Sequence, residues 1–142
     1  MTRNGKTMSH LKAGGLMLGV SLVFFAAQLS EAAVEPVVIP IMLKELPDIA
    51  GREALMITVE YPPGGADPIH RHNAHAFVYV LEGSIVMQVR GGKEVTLMPG
   101  QTFYEGPNDV HIVGRNASST KPAKFLVVLL KNKGVEPFLL EK

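Results

Sequence analysis

The chain has 142 residues, 46 % hydrophobic and 19 % charged, enough for one domain with a buried core. Fourteen basic and 13 acidic residues leave a net charge of +1 with no basic stripe, which excludes nucleic-acid binding through phosphate neutralisation. Cysteine is absent, which excludes disulfides, thiolate metal sites, iron–sulfur clusters, thiol catalysis and a lipoprotein acylated on cysteine.

The first segment reads as an address. Arg3, Lys6 and Lys12 form a positive stretch, and Leu16 to Ala27 is an uncharged apolar run. Ser30-Glu31-Ala32 then offers small residues at the −3 and −1 positions of a cleavage site. This three-part order is that of a secretory signal peptide over residues 1–32. The apolar run is about a dozen residues, short of the ~20 that span a bilayer as a stable helix. Uncleaved, the segment becomes an N-terminal anchor with the body outside. The expectation is cleavage after Ala32, a periplasmic or secreted protein, and no membrane contact in the mature form. From residue 33 onward there are 11 basic and 12 acidic groups, one negative charge in excess.

Residues 33–53 read as an arm and connector. Residues 33–40 are extended and punctuated by Pro36 and Pro40, as in an edge strand or arm. Residues 41–51 are a mixed connector. Strands are expected over 54–61, 69–72, 77–81, 84–90, 93–97, 102–105, 110–114 and 123–130, with a last strand within 135–140. The apolar strand at 123–130 is expected to be buried on both faces. Turn clusters separate these runs: Pro62 to Pro68, Glu82-Gly83, Gly91-Gly92, Pro99-Gly100 and Gly106 to Asp109. About nine short strands with frequent turns and no helix of three turns predict an all-β sandwich or barrel over residues 54–142. Phe77, Tyr79, Phe103 and Phe125 read as core or interface aromatics. Met56, Met87 and Met98 lie on separate segments and read as packing residues. Asn116-Ala117-Ser118 matches a glycosylation sequon but reads as a turn.

His70 and His72 are two apart, so on a strand both imidazoles project from one face. His111 follows a proline-containing turn on a later strand and can fold back beside them. Imidazole nitrogen suits Fe, Ni, Cu and Zn alike.

Gly64-Gly65-Ala66-Asp67-Pro68-Ile69-His70-Arg71-His72, followed by Tyr79-Val80-Leu81-Glu82-Gly83, resembles the first motif of the cupin superfamily. Pro99-Gly100, Pro107, His111 and Asn116 resemble the second. The resemblance covers roughly Met56 to Leu130. It implies a single double-stranded β-helix (jelly-roll) barrel. It also implies a mononuclear divalent transition-metal site (Fe, Mn, Ni, Cu or Zn) on His70, His72 and His111.

One departure stands out. The family's first motif usually carries a glutamate four or five residues after its second histidine and seven before its closing glycine. Counted from His72 and from Gly83, that place holds Ala76. Two residues are candidates to fill the gap. His75 points away from the His70–His72 face on a regular strand, and only a β-bulge at Asn73–Ala74 turns it inward. Glu105, in Phe103-Tyr104-Glu105-Gly106-Pro107, is a metal ligand, a partner orienting an imidazole, a general base, or a rim residue paired with Arg90 or Arg115. A similar stretch occurs in a subgroup of small bacterial cupins.

Three functions are compatible with these residues. The first is a metal-dependent enzyme of dioxygenase, isomerase or decarboxylase type acting on a small organic molecule, with Glu105 as catalytic base. The second is a non-catalytic module that binds or senses a small ligand or metal. The third is a homodimeric scaffold with a vestigial site. Glu105 discriminates: a carboxylate facing the metal favours the enzyme. The outward aromatics and the arm at 33–40 suggest a homodimer, which the family resemblance also implies.

Overall fold

The structure is a computed structural model that describes residues 34–142. The signal peptide expected over residues 1–32 lies outside the described residues. Among the described residues there are ten strands and no helix. In chain order they are β1 (Val37–Glu45), β2 (Arg52–Tyr61), β3 (His70–His72), β4 (Ala74–Glu82), β5 (Ile85–Val89), β6 (Val95–Leu97), β7 (Thr102–Glu105), β8 (Val110–Asn116), β9 (Ala123–Asn132) and β10 (Phe138–Leu140).

Two antiparallel sheets of five strands form the barrel: β1-β2-β9-β4-β7 and β10-β3-β8-β5-β6. From β2 to β5 and from β6 to β10, consecutive strands alternate between the sheets, as a double-stranded β-helix requires. The period of two sends one set of side chains inward on each strand. Val59, Tyr61, Val78, Val80, Phe125, Val127 and Leu129 from the first sheet meet Ile85, Met87 and Leu97 from the second. Tyr61 and Phe125 pack edge-on, with ring centroids 5.0 Å apart.

The turn residues do what their chemistry allows. Gly83 has φ +69°, and a Cβ there would stand 2.6 Å from the Pro122 carbonyl oxygen, so only glycine fits. Asn116 is buried, and its Nδ2 donates to the carbonyls of Tyr61, Pro62 and Lys121 at 3.1, 3.0 and 2.8 Å. The sequon asparagine is thus consumed in tying two loops together. Lys131 and Glu53, opposite each other on β9 and β2, form a buried ion pair. Lys131 Nζ also donates to the Val135 carbonyl, and the Gly134 N–H donates to Glu53 Oε1, so both charges are hydrogen-bonded.

Three expectations change. The strand begun at Val37 does not stop at Pro40 but runs to Glu45. A register shift between Pro40 and Met42 absorbs the proline, which an edge strand tolerates. The β9 strand is not buried on both faces: Phe125, Val127 and Leu129 are buried, while Leu126, Val128 and Leu130 on the outer face are half-buried. Finally, Gly91-Gly92 does not make a two-residue hairpin, because β5 and β6 pair only up to Met87 and Val95.

Candidate metal centre

His70 and His72 project from β3 into the barrel, and His111 lies directly across the ladder from His70 on β8. The ring of His70 is 4.8 Å, centroid to centroid, from those of both His72 and His111. Phe138 of β10 stacks on His70 at 4.5 Å. His70 and His111 are buried and His72 is nearly so.

The tautomers of the first pair follow from their partners. His70 Nδ1 lies 2.8 Å from the Pro68 carbonyl and His72 Nδ1 lies 3.1 Å from the Pro137 carbonyl. A carbonyl only accepts, so each Nδ1 carries the hydrogen and each Nε2 keeps a lone pair. Those two Nε2 atoms face each other at 3.2 Å. Two acceptors cannot hydrogen-bond, so the pair could hold a cation between them. Nitrogens each about 2.1 Å from one ion, at angles of about 90–109°, stand about 3.0–3.4 Å apart.

Glu105 lies across from the gap in the motif, on an adjacent strand. On β7 it is the cross-strand partner of Ala76 on β4, and both residues face inward and are buried. The small alanine leaves room for the longer side chain opposite it. Glu105 Oε1 is 3.5 Å from His111 Nδ1, and Oε2 is 4.0 Å from His72 Nε2. His70, His72 and Glu105 each offer a donor atom within 4.8 Å of the other two. A second such group, Asp67, His70 and His111, shares His70 with the first.

Polar atoms are left over. Glu105 Oε2 and both ring nitrogens of His111 are buried without a hydrogen-bond partner. Unsatisfied buried polar atoms are rare in native proteins, and a divalent ion here would satisfy Glu105 Oε2 and one of the two His111 nitrogens. The electrostatics agree. Burial, then the nearby Asp67 and Asp109, push Glu105 up to about 7. Burial, then the neighbouring His70, push His72 and His111 down to about 4. Neutral imidazole is the form that ligates, so His72 and His111 are ready at neutral pH. Burial also raises Asp67, opposed by a hydrogen bond from the Tyr61 hydroxyl.

The other sequence candidates are placed as follows. His75 stays outside: β4 keeps its alternation, with Ala74, Ala76 and Val78 inward. No bulge turns it inward, and His75 Nδ1 meets the Tyr104 hydroxyl at 2.7 Å on the outer face. Glu105 is not a rim residue paired with arginine, since Arg115 pairs with Glu94 at 3.3 Å and Glu105 is 2 % exposed. Sequence reasoning missed three neighbours of the imidazoles: Asp67, and the carbonyls of Pro68 and Pro137 that orient His70 and His72. Asp67 is three residues before His70, so strand parity puts it on the opposite face. Pro68 breaks that strand, and parity no longer holds.

The site opens into a cavity of about 550 Å³ walled mainly by apolar side chains of β2, β4 and β9, among them Ile57, Val78, Phe125 and Leu129. Its volume is in the range of small-molecule sites. No helix among the described residues is long and apolar enough to cross a membrane.

Residues 57–129 match the model of the cupin domain. Among solved structures, the Thermus thermophilus protein TT1209 is 31 % identical, with 68 % of this chain and 84 % of that one covered and a TM-score of 0.54. A conserved double-stranded β-helix protein of Klebsiella pneumoniae is 20 % identical, covering 76 % of this chain and 86 % of that one, with a TM-score of 0.59. The DMSP lyase DddQ of Ruegeria pomeroyi DSS-3 is 23 % identical over 61 % of this chain, with a TM-score of 0.54, and the match spans only 42 % of the lyase. The last two likenesses speak to the fold alone. No curated protein sequence matches the chain.

Proposed function

This chain belongs to the cupin family, and on that premise we propose that it is an exported metal-dependent enzyme acting on a small organic molecule. The observation behind the reading is the pair of His70 and His72 Nε2 lone pairs at 3.2 Å, beside three orphaned buried polar atoms. His70, His72, His111 and Glu105 hold one divalent ion of Fe, Mn, Ni, Cu or Zn, a mixed nitrogen and oxygen set that all five accept. Such an ion, bound there, would supply Lewis acidity or, if redox-active, oxygen activation. The reaction class is dioxygenation, isomerisation or decarboxylation.

The chain's own residues bind and orient. The Pro68 and Pro137 carbonyls hold two imidazoles in the ligating tautomer. Glu105 lies between His72 and His111, which favours a ligand role over that of a free base. The apolar walls exclude water and accept a carbon skeleton. A carboxylate facing the imidazoles also favours the enzyme over a binding module without turnover.

Elemental analysis of the exported protein, whose N-terminus is expected at Ala33, tests this reading. One transition-metal ion per chain is expected, with substrate-dependent turnover in assays with phenolic and keto-acid compounds. Turnover undiminished in His111→Ala would sink the metal-enzyme reading, and a stoichiometric ion without any turnover would favour the binding module.

The second copy is the partner we propose. The outer face of the β1-β2-β9-β4-β7 sheet carries one cross-strand row Met42-Met56-Val128-Phe77-Tyr104, apolar but for one hydroxyl. Phe77 and Tyr104 are each 49 % exposed and Met42 is 45 % exposed. A one-sided antiparallel sheet normally turns polar residues outward. At one end of this face lies Lys44, and at the other Glu60, Glu82 and Lys124. A two-fold axis across the strands brings the basic end of one copy over the acidic end of the other. Pro40 removes a donor from the edge of β1, which disfavours edge-to-edge pairing and leaves face-to-face packing.

A further inference from the structure

We propose that Asp67 is a second carboxylate of the metal centre, held in place by the Tyr61 hydroxyl and admitted by the missing side chain at Gly114. The inference rests on the metal reading above and deepens it.

Three placements converge. A carboxylate oxygen of Asp67 lies within 4.8 Å of a ring nitrogen of His70 and of His111. Glu105 approaches His111 and His72. The two groups share His70, and Glu105 stands 3.5 Å from His111 Nδ1, so the two carboxylates approach the same imidazoles from different sides. The Asp67 N–H donates to the Gly114 carbonyl at 2.8 Å, which anchors the loop before β3 to β8. The wholly buried Tyr61 donates its hydroxyl hydrogen to Asp67 Oδ2, so the carboxylate is held on one side.

Gly114 is the space-maker. A Cβ there would stand 2.8 Å from His111 Cε1, 2.9 Å from the Tyr61 hydroxyl and 3.0 Å from Asp67 Oδ2. Any side chain at that position pushes the three apart. Their approach is therefore a built feature and not slack in a loop.

Charge gives the reason. Among the described residues, no lysine or arginine lines the cavity. The other two carboxylates of its wall, Glu35 and Glu136, are both exposed, whereas Glu105 is buried and Asp67 half-buried. Ligating imidazoles are neutral, so the buried Glu105 and the half-buried Asp67 are the two negative charges beside them. Buried anions without a counter-ion are strongly disfavoured. One divalent cation cancels both, leaving a neutral centre. A centre with Glu105 alone would keep one positive charge.

Cobalt(II) titrated into the purified metal-free protein tests the assignment, with visible absorption and calorimetry as readouts. The wild type is expected to take up one ion. Asp67→Asn is expected to weaken binding about 10- to 100-fold and to alter the visible band. Tyr61→Phe is expected to act in the same direction by less than about tenfold. A folded Asp67→Asn protein with wild-type affinity and spectrum overturns the proposal while leaving the metal reading intact. If Asp67→Asn does not fold, a crystal structure of the cobalt-loaded wild type decides. An Asp67 oxygen about 2.2 Å from the ion supports the proposal, and one beyond about 3 Å overturns it. A wild type that takes up no cobalt sinks the metal reading and this inference with it.

Discussion

At the residue scale the centre is a set of groups whose ionisation opposes burial. His72 and His111, held near 4 against an unfolded value of about 6.5, contribute stability that is complete above pH 6.5 and lost as pH falls through 4. Glu105 works the other way. Held near 7 against about 4.5, it contributes stability below pH 4.5 that is lost as pH rises through 7. Two histidines outweigh one glutamate, so the metal-free protein is expected to gain melting temperature from about pH 4.5 to about 6.5. A melting temperature flat or falling over that window in calorimetry contradicts the assignment. Metal uptake must also displace the Glu105 proton below about pH 7. Calorimetry in buffers of different ionisation enthalpy should read more protons released per ion at about pH 5.5 than at about pH 8.5.

At the element scale the centre depends on register. The pairing of Ala76 with Glu105 puts the carboxylate of β7 where β4 carries none. The turn that follows is locked by reciprocal bonds: Gly106 N–H donates to Asp109 Oδ2 at 2.7 Å, and Asp109 N–H donates to the Gly106 carbonyl at 3.1 Å. It returns the chain so that His111 meets His70. If register is what matters, the carboxylate can be moved across the ladder. Ala76→Glu alone should lower stability by about 1–3 kcal/mol through overpacking, with like-charge repulsion added. Ala76→Glu combined with Glu105→Ala should recover the stability and bind metal within about tenfold of wild type. A double variant as unstable as the single one, or unable to bind metal, counts against this view. How much of this was legible in sequence depends on distance along the chain. His70 and His72 share a face by parity, and the same parity keeps His75 outside. The match between Ala76 and Glu105 joins residues 29 apart, and no local period encodes it.

At the scale of the whole molecule, one face of the barrel remains apolar where water would favour polar groups. The exposed Phe77, Tyr79 and Tyr104 stand beside the half-buried Leu126 and Val128. Sedimentation equilibrium of the protein without residues 1–32 is expected to give a dimer. Phe77→Glu should shift it to monomer without loss of metal, because residue 77 points away from the cavity. A monomeric wild type at micromolar concentration would refute the face-to-face pairing and leave the metal centre untouched.

The sequence by itself determined the all-β class, the turn positions, the cupin resemblance and the inward pair His70 and His72. Each is written in short-range signals: alternation, glycine and proline, and motif spacing. Only the tertiary structure decided that Glu105 faces the imidazoles, that Asp67 joins them across a proline break, and that β1 continues past Pro40. Those outcomes depend on which strands become neighbours and in what register. That choice minimises the free energy of the whole barrel and is not a property of any segment read alone.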